Sequence, residues 1–349
     1  MKSGGWAAAL AVGTIVASVA AGAAQAACQL AVAAEYKVVM VQGQPLVEAM
    51  INGKPVRMTP DLGAQTTFLT VTAAKALGLD TVHQSITVYG PGGNDQALSA
   101  QVKDLQLGRA VAHNVDLLVI DARPQAGGAV GRIGRDFLTA FDLEFDLQHG
   151  AIRQFQAKGC EGDTMAYWGG SYVSAPLYLP GGYGRAGLYG PLQITIGLNG
   201  KPARATIVST NLSLVDTDTA ARVGVTPDQP GVKLIASAAG FGPDGKPTKI
   251  YGATFDSFTL GDETVKNPQL RIGAFDVPNR KEFTGSHILR DPVAVPEMQL
   301  GVDFLWSHRV YIAWSQGKVY ASYLGGAPFG ERPPTTPAAP ASVASAADK

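Results

Sequence analysis

The chain has 349 residues, with 28 Lys and Arg against 28 Asp and Glu, so it lacks the cation surplus that general nucleic-acid binding requires. Apolar residues make up 46%, enough for two cores at roughly 150 residues per domain. The 42 glycines and 22 prolines exclude long helices and a coiled coil.

Residues 1–26 have the pattern of a secretory signal peptide: Lys2, an Ala- and Gly-rich apolar stretch, and the small-residue site Ala24-Gln25-Ala26. Cleavage after Ala26 would give a periplasmic or secreted product; the alternative is a retained anchor. No later apolar run is long enough to span a bilayer. The two cysteines, Cys28 and Cys160, form an even pair that reads as a disulfide in an oxidising compartment. Lipidation of Cys28 and two unpaired thiols are the alternatives. The five histidines (His83, His113, His149, His287 and His308) show no ligand spacing, so no metal and no cofactor are expected.

The first predicted element is a hairpin: Val47, Ala49 and Ile51 alternate before Asn52-Gly53, and Val56 and Met58 after it. The strand continues through Met58-Thr59-Pro60 to Asp61-Leu62-Gly63-Ala64. A short helix is expected from Thr72 to Leu77, capped by its Thr and stopped by Gly78. Ile86 to Leu98 (ITVYGPGGNDQAL) reads as a Gly-tipped hairpin. Ile133-Gly134-Arg135-Asp136-Phe137-Leu138 reads as a strand passing through a glycine into another short helix, with Asp136 as its N-cap.

The same series then returns. Pro191 to Val225 repeats Pro45 to Leu79, with Asn199-Gly200-Lys201-Pro202 for Asn52-Gly53-Lys54-Pro55 and a helix from Asp218 to Val223 before Gly224. Leu105 to Val119 returns as Phe258 to Ile272. Ile133 to Leu138 returns as Leu300-Gly301-Val302-Asp303-Phe304-Leu305, with Asp303 the matching cap, and Gly150 returns as Gly317. Strand and turn dominate both copies, so the fold class is mainly β, with two homologous lobes. The expected bounds are a signal peptide at 1–26, a first lobe at 27–156, a linker with surface loops at 157–172, a second lobe at 173–325, and a disordered Pro/Ala/Ser-rich tail at 326–349.

The segment Met58 to Ala64, with the Thr-rich turn, Phe68-Leu69 and the helix ending Leu77-Gly78-Leu79, resembles the aspartic peptidases, in which a strand carries hydrophobic-Asp-Thr/Ser-Gly-Ala. The closing segment Ile133 to Ile152 (IGRDFLTAFDLEFDLQHGAI) is similar to the strand-Gly-helix that ends each lobe in bacterial retropepsin-like relatives. The resemblance covers both copies. It implies a bilobal structure of two retropepsin/pepsin-like β-barrel lobes with short helices and an interlobe cleft. It also implies a peptide or protein substrate, a monomer whose second lobe occupies the dimer face of single-lobe relatives, and two acids, one per lobe, sharing a proton. One acid accepts a proton from water and the other donates to the scissile carbonyl.

Asp61 stands where the first of these acids is expected. Counted ungapped from the Asn-Gly turns, Val208 corresponds to Asp61; with one insertion, Ser209-Thr210-Asn211 replaces Asp-Thr-Gly. Neither alignment supplies an acid, and Asp216 and Asp218 read as helix caps. Leu62 stands where the family has a Thr or Ser that bonds across to the opposite loop, which leaves Thr210 to make that bond. Gly63, Ala64 and Thr210, with Tyr89 and Gly90 on the hairpin that would close as a flap, are the candidate substrate contacts. The favoured expectation is an exported aspartic-peptidase-like protein with a peptide-binding cleft, a dyad reduced to Asp61, and impaired proteolysis. The alternatives are an active aspartic endopeptidase with an unidentified second acid, and a non-catalytic structural or interaction protein.

Overall fold

The computed structural model describes residues 28–90, 93–122, 125–178, 192–238, 248–274 and 296–336, and the side chains of 85–96, 238 and 248 are outside that description. The expected signal peptide therefore lies outside the described residues. The first half comprises β1 (Gln29–Val41), β2 (Gln44–Ile51), β3 (Lys54–Pro60), β4 (Phe68–Thr70), α1 (Val71–Leu77), β5 (Thr81–Gly90), β6 (Gly93–Leu107), β7 (Ala110–Ile120), β8 (Gly131–Ile133), α2 (Arg135–Leu138), β9 (Asp142–Asp146) and β10 (Ala151–Lys158). The second comprises β11 (Val173–Tyr178), β12 (Gln193–Leu198), β13 (Lys201–Ile207), β14 (Leu214–Asp216), α3 (Thr217–Arg222), β15 (Lys233–Ala238), β16 (Thr248–Thr254), β17 (Ser257–Leu260), β18 (Glu263–Lys266), β19 (Gln269–Gly273), β20 (Met298–Leu300), α4 (Val302–Ser307), β21 (His308–Ala313) and β22 (Lys318–Tyr323). The fold is mainly β, as expected.

Both Asn-Gly hairpins form as predicted. Asn52 and Gly53 sit at φ 50° and 78°, Asn199 and Gly200 at 48° and 74°, the left-handed pair that a tight two-residue turn requires. In the first half β2 pairs with β3 and β6, β3 runs parallel to β8, β8 pairs with β4, β4 runs parallel to β7, and β7 returns to β6. These contacts close a six-stranded barrel. Inward residues such as Met58, Leu69, Val102, Leu105 and Val119 fill it. Each such side chain contributes about 1.5–3 kcal/mol on burial.

The pairings recur in the second half: β12 with β13 and β17, β13 parallel to β20, β20 with β14, and β14 parallel to β19. There the counterparts of β6 and β7 are each broken in two. Phe255 and Asp256 separate β16 from β17, and Asn267 and Pro268 separate β18 from β19. Pro268 has no N–H to give a ladder, and Asn267 takes the left-handed conformation at φ 50°. The halves meet where β9 pairs with β21 through Phe145↔Val310, giving a sheet in the order β1-β10-β9-β21-β22-β11.

Several local expectations are corrected. The caps of α1 and α3 are Thr70 and Asp216, each two residues before the predicted start; Thr70 accepts from Ala73 N and Asp216 from Asp218 N. The helices α2 and α4 are entered through Gly134 and Gly301 rather than capped by Asp136 and Asp303. The 157–172 segment is anchored rather than a free surface linker. Cys160 is disulfide-bonded to Cys28, Met165 and Ala166 are buried, and Trp168 Nε1 donates to Ser322 Oγ at 2.8 Å. The bridge takes Cys28 out of the lipidation and free-thiol alternatives. The tail is not disordered throughout. Phe329 packs between Phe258 and Phe304, and Arg332 Nη1 and Thr336 N donate to Gln42 O and Met40 O. The first part of the tail thus straps the second half to the β1–β2 turn. Residues 337–349 lie outside the described residues.

Candidate functional site

The site is built where two equivalent loops leave β3 and β13. Asp61 follows Pro60, and its N–H donates to Ile133 O at 2.8 Å; Val208 follows Ile207, and its N–H donates to Leu300 O at 3.0 Å. Arg135 N–H donates to Ala64 O as Val302 N–H donates to Asn211 O. Asp61 therefore corresponds to Val208, in line with the ungapped reading, and Leu62 to Ser209. The two loops also touch: a Cβ built on Gly63 would lie 3.1 Å from Asp61 Oδ1 and 3.5 Å from Val208 Cγ1. A valine thus holds the loop position where a second carboxylate is needed.

Asp61 is 2% exposed and both of its oxygens are engaged. Oδ1 accepts from Gly63 N–H at 2.8 Å, and Oδ2 accepts from Arg132 Nη1 at 2.6 Å. Arg132 reaches Asp61 because β8 lies parallel to β3 in the register Thr59↔Arg132. Its Nε donates to Gln125 Oε1 at 3.0 Å, and its guanidinium lies 5.9 Å from the Phe68 ring centroid. Arg135 is buried, which lowers its pKa to about 10, while the Asp61 charge acts in the opposite direction.

The cross-loop hydrogen bond exists, but the residue that makes it is Ser209, not Thr210. Ser209 Oγ donates to Pro60 O at 2.7 Å and accepts from Leu62 N–H at 3.2 Å, across 149 and 147 residues of sequence. Ser209 is wholly buried. Thr210 contributes its carbonyl instead, which accepts from Gln44 Nε2 at 3.2 Å.

Behind each loop a carboxylate and a hydroxyl form a matching brace. Thr67 Oγ1 donates to Asp136 Oδ1 at 2.7 Å and accepts from Gly134 N–H at 2.9 Å. Ser213 Oγ donates to Asp303 Oδ1 at 2.6 Å and accepts from Gly301 N–H at 2.8 Å. Burial pushes the Asp303 carboxyl above its usual range, against its bonds from Ser213 and Gly330. Asp136 and Asp303 are occupied by Thr67 and Ser213 and Asp216 by Asp218 N–H, and none of the bonds on Asp61 comes from an acid. Gly63 and Ala64 lie on the Asp61 loop. Tyr89 and Gly90 lie on the β5–β6 hairpin in the register Tyr89↔Asn94 and Gly90↔Gly93, with side chains outside the described residues. Among the described residues no group of His, Cys, Asp and Glu could hold a metal ion.

Sequence reasoning missed Arg132, the role of Ser209, and the paired braces. Arg132 was open to detection. It precedes Ile133-Gly134 as Gln299 precedes Leu300-Gly301, so aligning the two copies sets a cation against a neutral amide on the strand that flanks the acid.

Residues 47–137 match the aspartyl protease family model. The match runs from β2 to α2 and contains the whole Asp61 loop and its brace. It supports an aspartic-protease-like protein, in agreement with the barrel and with the motif around Asp61. No curated protein matches the chain.

Proposed function

We propose that this is an exported, retropepsin-like protein of the aspartic-protease family whose cleft binds peptide and whose proteolysis is lost or strongly impaired. The observation that carries the reading is that Val208 holds the loop position equivalent to Asp61, and that both oxygens of Asp61 are already taken by Gly63 N–H and Arg132 Nη1. The peptidase mechanism needs one acid to accept a proton from water and a second to donate to the scissile carbonyl. Val208 has no proton to exchange, and a guanidinium remains protonated throughout the working range. Ser209 keeps the two loops in register, so the second loop retains its scaffold without its acid. The repeated pairing order fits an internal duplication whose second copy lost the acid. The Cys28–Cys160 bridge fits an oxidising, periplasmic or secreted destination.

An equilibrium capture experiment with a diverse peptide pool, followed by mass spectrometry of the bound and free fractions, tests the reading. Retained peptides recovered intact are expected. Fragments that form with the wild type and not with Asp61→Ala would replace it with an active endopeptidase.

A further inference from the structure

Building on the peptide-binding reading, we propose that Arg132 makes this site select ligands that present a carboxylate, either an acidic side chain or a free C-terminus. The guanidinium is a donor with no acceptor capacity, and its planar fork matches a carboxylate in two parallel hydrogen bonds. In this chain it is fixed before any ligand arrives. Asp61 Oδ2 holds Nη1 at 2.6 Å, Gln125 Oε1 holds Nε at 3.0 Å, and the guanidinium carbon lies over the Phe68 ring, 5.9 Å from its centroid. A side chain already held by two hydrogen bonds loses little rotamer freedom on binding. It is also reachable: the Arg132 side chain keeps 28% of its surface exposed, whereas the Asp61 side chain keeps 3%. Among the described residues no hydrogen bond engages Nη2, which leaves that edge of the fork for a second acceptor.

The balance of charge points the same way. A working dyad presents two carboxylates with one shared proton, a negative floor that repels an anionic ligand. Here Val208 removes one carboxylate and Arg132 pairs with the other. The cation is also one-sided, because Gln299 holds the position of Arg132 in the second half, in register with Thr206 as Arg132 is with Thr59. A ligand carboxylate would therefore be drawn to the first half, which gives the bound peptide a direction.

The test measures affinity of the full chain for three labelled peptides of one length by fluorescence anisotropy. One carries a central Glu with an amidated C-terminus, one has Gln in its place with the amide kept, and one has that Gln with a free C-terminus. A preference of about tenfold or more for a carboxylate-bearing peptide over the neutral one is expected, the size of one charge-assisted contact. Which of the two is preferred identifies the source of the carboxylate. Because Arg132→Gln alone strands a buried carboxylate, the comparison uses Asp61→Asn/Arg132→Gln, with its fold checked by circular dichroism, and the preference should fall to about onefold. Equal affinity for all three peptides, or a preference that survives in the double variant, overturns the carboxylate assignment and leaves peptide binding standing. No binding of any peptide overturns both.

Discussion

The Asp61 loop and the Val208 loop share a backbone and differ in chemistry. Each leaves a strand that runs parallel to the strand before a Gly-led helix, each donates its first N–H to that strand, and each is braced by a hydroxyl-carboxylate pair. The first loop keeps the acid and gains a cation from Arg132. The second has Val208 for the acid and Ser209 for the cross-loop hydroxyl. Scaffold and reactivity are thus separable. Apart from the Gly63 N–H bond to Asp61 in the first loop, the hydrogen bonds that shape the loops run through backbone, Thr67, Ser213 and Ser209, so the dyad position can change without loss of the turn.

The comparison can be broken at the glycines that enter α2 and α4. A Cβ on Gly134 would meet the Thr66 carbonyl carbon at 2.5 Å, and one on Gly301 would run into the Asn211 and Ser213 backbone. Gly134→Ala and Gly301→Ala should each destabilise by on the order of 4 kcal/mol. Urea unfolding of the two variants should give similar losses; a harmless Gly301→Ala would show that the second loop is no longer braced like the first.

A smaller effect separates the two braces. Asp136 is exposed and Asp303 is 1% exposed, with Gly330 N–H as an additional donor. Asp303→Ala strands several buried donors and should cost about 3 kcal/mol, against about 1 kcal/mol for Asp136→Ala. The pH dependence adds a second readout. Burial raises the Asp303 carboxyl, so the folded chain binds its proton more readily than the unfolded chain does. That contribution is fully present below the unfolded carboxylate range and is lost as pH rises through the folded group's range. Asp142, also raised by burial, acts with the same sign. Asp303→Asn should therefore flatten the decline in stability with rising pH, read as unfolding midpoints across the acidic range. Between the two braces in size falls Ser209→Ala, which removes both of that residue's cross-loop bonds and should cost about 2 kcal/mol. Equal stability with and without the hydroxyl would mean that it does not hold the loops together.

Much of the fold was legible because it is written locally. Asn52-Gly53 and Asn199-Gly200 demand left-handed φ values, and Gly78 and Gly224 supply the left-handed residues after short helices. The reading of Asp61 against Val208 was legible from the repeat. The finer chemistry was not, because it depends on registers between distant segments. Arg132 finds Asp61 across 71 residues through the β3–β8 pairing, and Asp136 turns from a helix cap to Thr67 across 69. Ser209 rather than Thr210 reaches Pro60 because the ungapped alignment holds: Ser209 directly follows the dyad position, as Leu62 follows Asp61, and the expectation of Thr210 came from the alignment with one insertion. The tail misled because its Pro/Ala/Ser composition hid one anchoring aromatic, Phe329.

Turnover by the purified wild type, measured beside Asp61→Ala on a diverse peptide pool from roughly pH 3 to 7, shows whether Asp61 still cleaves peptides, since a shared-proton dyad would act within that range. The account predicts no cleavage above the Asp61→Ala background at any pH. Cleavage by the wild type that vanishes in Asp61→Ala would contradict it, because Asp61 would then be working with a proton partner that Val208 does not provide.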